Sequence, residues 1–380
     1  MLFQSLFKAR KRGRVSGGLM ATAAALVAIP LLNPAAAQAT NGACPGTTDG
    51  NGHCYAIASF GTSSPVWMDG LSADLKVDCL AVGNPNTDFI NYEMWMLTNR
   101  NVTNSKTWIE QGMTAGTLSS AGNPVGFMWY WADQRSLYGQ PWNYFEHYIG
   151  PAHTNQTVDA GLIWRPGTGD WDIWHDHKYI GGSIGVGAYA GVGQTGIEMT
   201  DLNTAAIGTS TSFRYKQPGT GNYLWAPKQS FYNNKPTHLS GNTNGPTVNA
   251  RTTSNCWPGT TSAKTAPKAL TADVSSEIAK ESAANLGESA PRNARQVTTT
   301  RAEANKLIGA QAGDSAPAVV TVMDGNFGIT KKLGDREVQV TGDTLTTVID
   351  PKTSLITDWG ISSTKPSLAK LGAVTEVAVS

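Results

Sequence analysis

Short runs in which apolar and polar residues alternate fill the chain up to about residue 255. "DLKVDCLAV", "DFINYEMWML", "KTWIEQGMTA", "GFMWYWAD", "AGLIWRP", "WDIWHDH" and "GIEMTD" are all rich in aromatic and aliphatic residues. Turn-forming stretches such as "GNPN", "AGNP", "RPGTGD" and "GVGQTG" bound them. Runs of this length between Gly/Pro/Asn clusters read as strands. Many short strands without a long 3.6-period segment predict a mainly β fold, an antiparallel β-sandwich of jelly-roll or concanavalin-like type.

The pattern changes near residue 260. All but one of the 12 Trp precede that point, and Ala, Ser, Thr and Lys dominate after it. A linker, "GTTSAKTAPKA", leads into "TADVSSEIAKESAANLG", of helical composition and closed by a glycine. "TTRAEANKLIGAQAG" predicts a second helix with Thr299 or Thr300 as N-cap. "PAVVTVMDGNF", "REVQVTG" and "TLTTVIDPKTSLITDWGIS" predict strands, the last a hairpin around Asp350-Pro351-Lys352-Thr353. The expected organisation is a sandwich over 40–260, a linker with a helix over 261–296, and a small α+β domain over 297–380.

The first 39 residues change the picture of where the protein works. Lys8, Arg10, Lys11, Arg12 and Arg14 precede an apolar stretch from Leu19 to Leu32, and Ala37-Gln38-Ala39 has the A-x-A form of a cleavage site. This is the layout of a secretory signal peptide, and the stretch is too short, and too interrupted by proline, for a membrane span. The expected location is therefore secreted and extracellular, without a membrane partner after cleavage. Removing those five bases from a net charge of +1 leaves −4. A slightly acidic surface argues against nucleic acid as a partner. The four cysteines, Cys44, Cys54, Cys79 and Cys256, form an even set in an exported chain, which favours disulfides over metal. Cys44–Cys54 would close a short Gly/Thr/Asn-rich loop, leaving Cys79 for Cys256. No C-x-x-C spacing suggests zinc.

Candidate chemistry lies in three strands. Alternate residues of a strand point to opposite faces. In "TWIEQGMTAG", Ile109 and Met113 share one face while Trp108, Glu110 and Thr114 share the other. In "TGIEMTD", Ile197 and Met199 oppose Glu198 and Thr200; in "FINYEMWML", Ile90, Tyr92, Met94 and Met96 oppose Asn91, Glu93 and Trp95. Acids on the outer face of a half-buried strand are commonly just solvated. Carboxylates are poor strand formers, however, and three of them beside Trp or Thr suggest the floor of a groove.

The order of these motifs resembles the neprosin-type glutamic peptidase domain. "NYEMW" is followed by "WIEQG", "MWYWAD", "DWDIWHDHKYIGG", "TGIE" and "TSNCW". The family has, in the same order, an amide or acid before x-Trp, an Ile-Glu strand, a Tyr-Trp strand, a Trp-rich strand entering a Gly turn, a Gly-Gly-Glu strand and a late Ser-Asn-Cys. The resemblance covers roughly residues 80–257. It implies a concave sandwich face with Glu110 and Glu198 as catalytic residues, acting on a peptide or protein substrate through water, without a cofactor or metal. Glu93 stands where the family usually has Gln, Gly196-Ile197-Glu198 where it has Gly-Gly-Glu, and Met113 in place of a Trp. Glu93 is then expected to orient the water or stabilise the oxyanion, and Trp108, Trp129, Tyr130 and Trp131 to wall the substrate groove, or else to form the aromatic core. The hairpin "TTVIDPKTSLITDWG" resembles small PepSY-like domains, some of which accompany exported peptidases. This adds the chain's own C-terminal segment to the expected partners.

Two other readings fit the same acids. A jelly-roll glycosidase would use Glu93 and Glu198, with Trp stacking on sugar rings. A non-catalytic carbohydrate- or polymer-binding module would use the aromatic groove alone. His175 and His177 alternate as a metal pair would, without an obvious third ligand, and Asp170, Asp172 and Asp176 lack the glycine-bearing loop of a calcium site. "GGSIGVGAYAGVG" has no following Lys-Ser/Thr and is a loop rather than a phosphate cradle.

Overall fold

A computed structural model describes residues 44, 52–83, 88–98, 107–116, 128–135, 143–168, 170–184, 186–187, 190–254, 269–333 and 336–379. The expected signal peptide, the linker and Cys256 lie outside the described residues. Among the described residues no helix is long and apolar enough to cross a membrane.

The strands in chain order begin with β1 (Cys54–Phe60), β2 (Gly70–Val82), β3 (Phe89–Leu97), β4 (Trp108–Gly116) and β5 (Met128–Arg135). There follow β6 (Asn143–Pro151), β7 (Thr157–Arg165), β8 (Asp170–His175), β9 (Lys178–Ser183), β10 (Val192–Met199) and β11 (Thr204–Lys216). Then come β12 (Tyr223–Trp225), β13 (Ser230–Asn233), β14 (Leu239–Asn244) and β15 (Thr247–Thr252). Past the linker lie α1 (Ala272–Asn285), β16 (Arg292–Thr300), α2 (Arg301–Leu307) and β17 (Gln311–Ala312). The last elements are β18 (Pro317–Leu333), β19 (Arg336–Ile349), β20 (Ile356–Ser362) and β21 (Thr375–Glu376).

The fold is mainly β, as the alternation predicts. A first sheet runs β13-β1-β10-β3-β4-β5-β6-β20-β19-β18-β16-β21, and a second runs β14-β15-β11-β2-β7-β8-β9-β17, with β12 on β11. All neighbours pair antiparallel. One apolar cluster fills the space between the sheets. It takes Tyr92, Met94, Ile109, Met113 and Ile197 from the first sheet and Leu75, Leu162 and Trp171 from the second. The apolar face read from β3, β4 and β10 is thus the core face of a sandwich.

Local chemistry accounts for the helices. The Thr271 hydroxyl accepts from the Val274 amide at the start of α1, and Gly287, at φ 84°, follows its end. Thr300 caps α2 by accepting from the Glu303 amide. β16, immediately before α2, was not legible in "RNARQVTTT", whose only apolar residues are Ala294 and Val297. Asp350 organises the predicted hairpin turn, accepting from the Lys352 amide and the Thr353 hydroxyl. Cys44 and Cys54 form a disulfide, and Cys79 is disulfide-bonded as well.

The two composition zones share both sheets, β20 joining β6 in the first and β17 joining β9 in the second. β20 pairs with β6 over four residues, Asp358↔His147 to Ile361↔Tyr144, whereas β5 and β6 pair over eight. A second apolar cluster then forms on the other face of the first sheet. It joins Tyr55, Trp95 and Trp108 to Ile278 of α1, Phe327 of β18 and Leu345 of β19. β10, β3 and β4 are therefore buried on both faces.

Close packing inside the sandwich depends on Gly208 of β11. A Cβ there would lie 2.2 Å from the Tyr92 ring. The Tyr92 hydroxyl is meanwhile fixed to Ser210 at 3.1 Å. Gly208→Ala is expected to destabilise the protein by about 1–3 kcal/mol through overpacking, read as a lower urea midpoint with an unchanged slope.

Candidate active site

Strand register decides which of the predicted acids meet. β3 lies between β10 and β4, and Glu93 stands directly opposite Gly196 on one side and Gly112 on the other. Glu198 and Glu110 are each two residues along from those glycines. They are the diagonal neighbours of Glu93, about 7–8 Å away by backbone geometry. They extend in opposite directions, so Glu110 and Glu198 themselves are separated by two strands and four register positions, on the order of 15 Å. The structure brings all three acids to one face, with Glu93 at the centre.

The glycines opposite Glu93 open a lane across the sheet. A Cβ on Gly112 would lie 2.5 Å from the Glu93 Cβ, and one on Gly196 would lie 2.2 Å from the Ala56 carbonyl oxygen. Gly196 also has φ 148°, a conformation that disfavours side chains. Tyr130, the next residue in register beyond Gly112, reaches over it and donates its hydroxyl to Glu93.

Each acid has its own donor, because a buried carboxyl without one is costly. Glu198 accepts from the Tyr55 hydroxyl at 2.8 Å and pairs with His53 Nδ1 at 2.6 Å. Tyr55 is its direct cross-strand partner. Glu110 accepts from Trp108 Nε1 at 3.0 Å, two residues back on the same face of β4. Glu93 has Asn91 Nδ2 at 3.5 Å in addition to Tyr130.

A fourth acid completes the row. Glu146 of β6 stands opposite Ala132, which stands opposite Glu110. The Tyr144 hydroxyl donates to it at 3.1 Å. Burial pushes the Glu146 carboxyl up to about 8, against the hydrogen bonds of Tyr148, Trp359 and Tyr144 and with the help of the Glu110 charge. It is therefore neutral at neutral pH and below. The signal was present in "NYFEHY", where Tyr144 and Glu146 alternate as Trp108 and Glu110 do, but no family motif covers it. Tyr55 and His53 carried no such signal, because long-range pairing alone places them.

The predicted aromatic walls divide by strand parity. Trp108 and Tyr130 face the acids. Trp129 and Trp131 belong to the core between the sheets and not to a groove wall, the second of the two expectations for them. Residues 129 and 131 alternate with 130, and β5 presents Tyr130 to the acids. Trp131 instead stacks on His147, with ring centroids 4.0 Å apart.

The weaker metal candidates do not assemble. Asp176 and His177 form the turn after β8, both with positive φ, and His177 contacts Asp159 at 3.1 Å. His175 lies against Gln111 and Trp129, and burial pushes its imidazole down to about 4. Among the described residues no group of three or more His, Cys, Asp or Glu is placed to hold a metal ion.

The four acids are closed off, with Glu93 and Glu146 0 %, Glu198 1 % and Glu110 2 % exposed. The strand next to β6 on this face is β20, whose Trp359 stands opposite Glu146. The Trp359 ring lies 5.2 Å from that of Tyr144.

No protein-family model matches the chain. No curated protein matches it either. Three solved structures are similar in part. SCP-B, a member of the eqolisin family of peptidases in complex with the tripeptide Ala-Ile-His, has 8 % identity and a TM-score of 0.32, covering 52 % of this chain and 96 % of its own. A Bacillus licheniformis β-glucanase has 9 % identity and a TM-score of 0.22, covering 50 % and 69 %. A 1,3-α-1,4-β-D-galactose-4-sulfate-3,6-anhydro-D-galactose 4 galactohydrolase has 10 % identity and a TM-score of 0.24, covering 52 % and 66 %. At these values the likenesses say nothing about substrate.

Burial of Glu146 ties stability to pH. Its folded pKa lies above its unfolded value, so its contribution is full below about 4.5 and is lost as pH rises through about 8. Native protein is expected to lose on the order of a few kcal/mol across that window. Urea titrations from pH 4 to 9 should show this fall, and Glu146→Gln should flatten it.

Proposed function

We propose that the acid face is the catalytic surface of an exported hydrolase that cleaves peptide bonds with two carboxyls and a water molecule. The observation that carries this reading is the central position of Glu93, with Glu110 and Glu198 as diagonal neighbours and a Tyr or Trp donor on each acid. Carboxyls this close do not all ionise readily, so one keeps its proton while its neighbour gives one up. The ionised group takes a proton from water, and the resulting oxygen attacks the amide carbonyl. The protonated group hydrogen-bonds the carbonyl oxygen and then passes its proton to the departing amine. Glu110 and Glu198 remain the residues that the order of motifs singles out. Register adds Glu93 as the acid each of them works beside.

One observation favours a second reading. Glu93 and Glu198 lie on adjacent strands at a diagonal, from which two carboxyls can turn toward the spacing of about 5–5.5 Å of a retaining glycosidase; Glu93 and Glu110 are placed alike, and this reading takes the first pair. In that reading Glu110 is dispensable.

The test is a mixed peptide pool incubated with the protein from pH 3 to 7, with and without sub-denaturing urea, and read by mass spectrometry. Cleavage that resists chelators and falls at least about a hundredfold in Glu93→Gln, Glu110→Gln and Glu198→Gln is the expected result. Cleavage indifferent to all three would sink the carboxyl mechanism. Sugar release from polysaccharide that survives Glu110→Gln but not Glu93→Gln would establish the glycosidase instead.

A further inference from the structure

We propose that the acid face is a docking surface whose occupant is the chain's own C-terminal part, residues 269–379, seated in cis and separable from the sandwich. This inference deepens the hydrolase reading and names what keeps its site shut.

The outward face of β10, β3 and β4 is not the sandwich core, yet Glu93, Glu110 and Glu198 are buried. Their aromatic companions Trp95, Trp108 and Tyr130 belong to one apolar cluster with Ile278 of α1, Phe327 of β18 and Ile361 of β20. The two parts pair strand to strand at two short places, over four residues of β6 and β20 and over two of β9 and β17. The β6–β20 seam is stitched on both faces. On the acid side Trp359 packs on Tyr144.

On the opposite side a buried charge holds the strands together. Asp358 accepts from Arg301 Nε at 2.6 Å and Nη2 at 3.0 Å, and from Asn305 Nδ2 at 3.1 Å, and it contacts His147 Nδ1 at 3.1 Å. Arg301 also donates to the Tyr148 carbonyl at 2.6 Å, reaching across to β6. Burial alone would raise the Asp358 carboxyl, but the Arg301 guanidinium and the bonds from His147 and Arg301 hold it well below the usual carboxylate range. The latch therefore keeps its charge in mild acid, where a carboxyl hydrolase would work, and acid alone does not undo it. At the centre of the seam Gly360 leaves no room, since a Cβ would lie 2.0 Å from the Phe145 ring.

The separability of the cover is testable on the full chain. Native-state hydrogen exchange in rising urea, with carbodiimide labelling of carboxyls, reports cover and acid face independently of any activity. The expected result is that α1 and β18–β20 open at urea concentrations where β2, β7 and β8 stay protected, and that Glu93, Glu110 and Glu198 become labelled in that same step. Arg301→Gln leaves Asp358 buried without its cation and should raise exchange in the cover about a hundredfold. Gly360→Ala, acting by steric clash alone, should shift the same step in the same direction. If α1, β18–β20 and the second sheet open together in one transition, in the native chain and both variants, there is no separable cover and the inference is overturned. If the acids become labelled while peptides in the same urea stay intact, the cover stands and the peptidase reading falls.

Discussion

A carboxyl taken out of water must find a donor or keep its proton, and this requirement shapes the centre of the molecule. Four glutamates occupy one face of the first sheet. Each is met by a tyrosine hydroxyl or an indole N–H from the same face, over one or two cross-strand steps or two residues along its own strand. Replacing those aromatic rings by aliphatic side chains would take a donor from each acid, so the aromatic content of the sheet serves polar satisfaction as much as apolar packing. Gly112 belongs to the same solution, because Tyr130 can reach Glu93 only where the intervening residue has no side chain.

Two faces with different chemistry on the same strands divide the work. The inner face of β3, β4 and β10 fixes register, since a slip of one residue would push the glutamates into the sandwich core. Register in turn determines which acids are neighbours. The outer face then carries chemistry whose geometry the core has already set, and the C-terminal part closes over it with its own aromatic and aliphatic residues.

Much of this was legible from alternation alone. The parity of β3, β4 and β10, the existence of an acid face, the glycine-closed α1, the Thr300 cap of α2 and the Asp350 turn all follow from short-range pattern, because pleat and cap chemistry are local. What parity could not supply was strand order. Glu110 and Glu198 read as a pair from their motifs, whereas the order β10-β3-β4 makes Glu93 their common neighbour. The Trp-Tyr-Trp run leaves Trp129 and Trp131 open between groove wall and core, and its period of two, once β5 is placed, assigns them to the core and Tyr130 to the acids. β16 has only Ala294 and Val297 as apolar residues, three apart and so without a period of two, and pairing with β18 and β21 makes it a strand.

The reach of β20 back to β6 has a consequence for how the molecule is made. His147 and Asp358 are 211 residues apart. All three strands that carry Glu93, Glu110 and Glu198 are complete by Met199, whereas the segment that covers them begins at residue 269 and pairs through β20. At a synthesis rate of about 5–20 residues per second, the ribosome needs on the order of ten seconds or more to travel from one to the other. For that interval the nascent chain holds a finished set of aromatic and carboxyl strands with nothing of its own to lay on them, and it is then that binding by a chaperone would matter most.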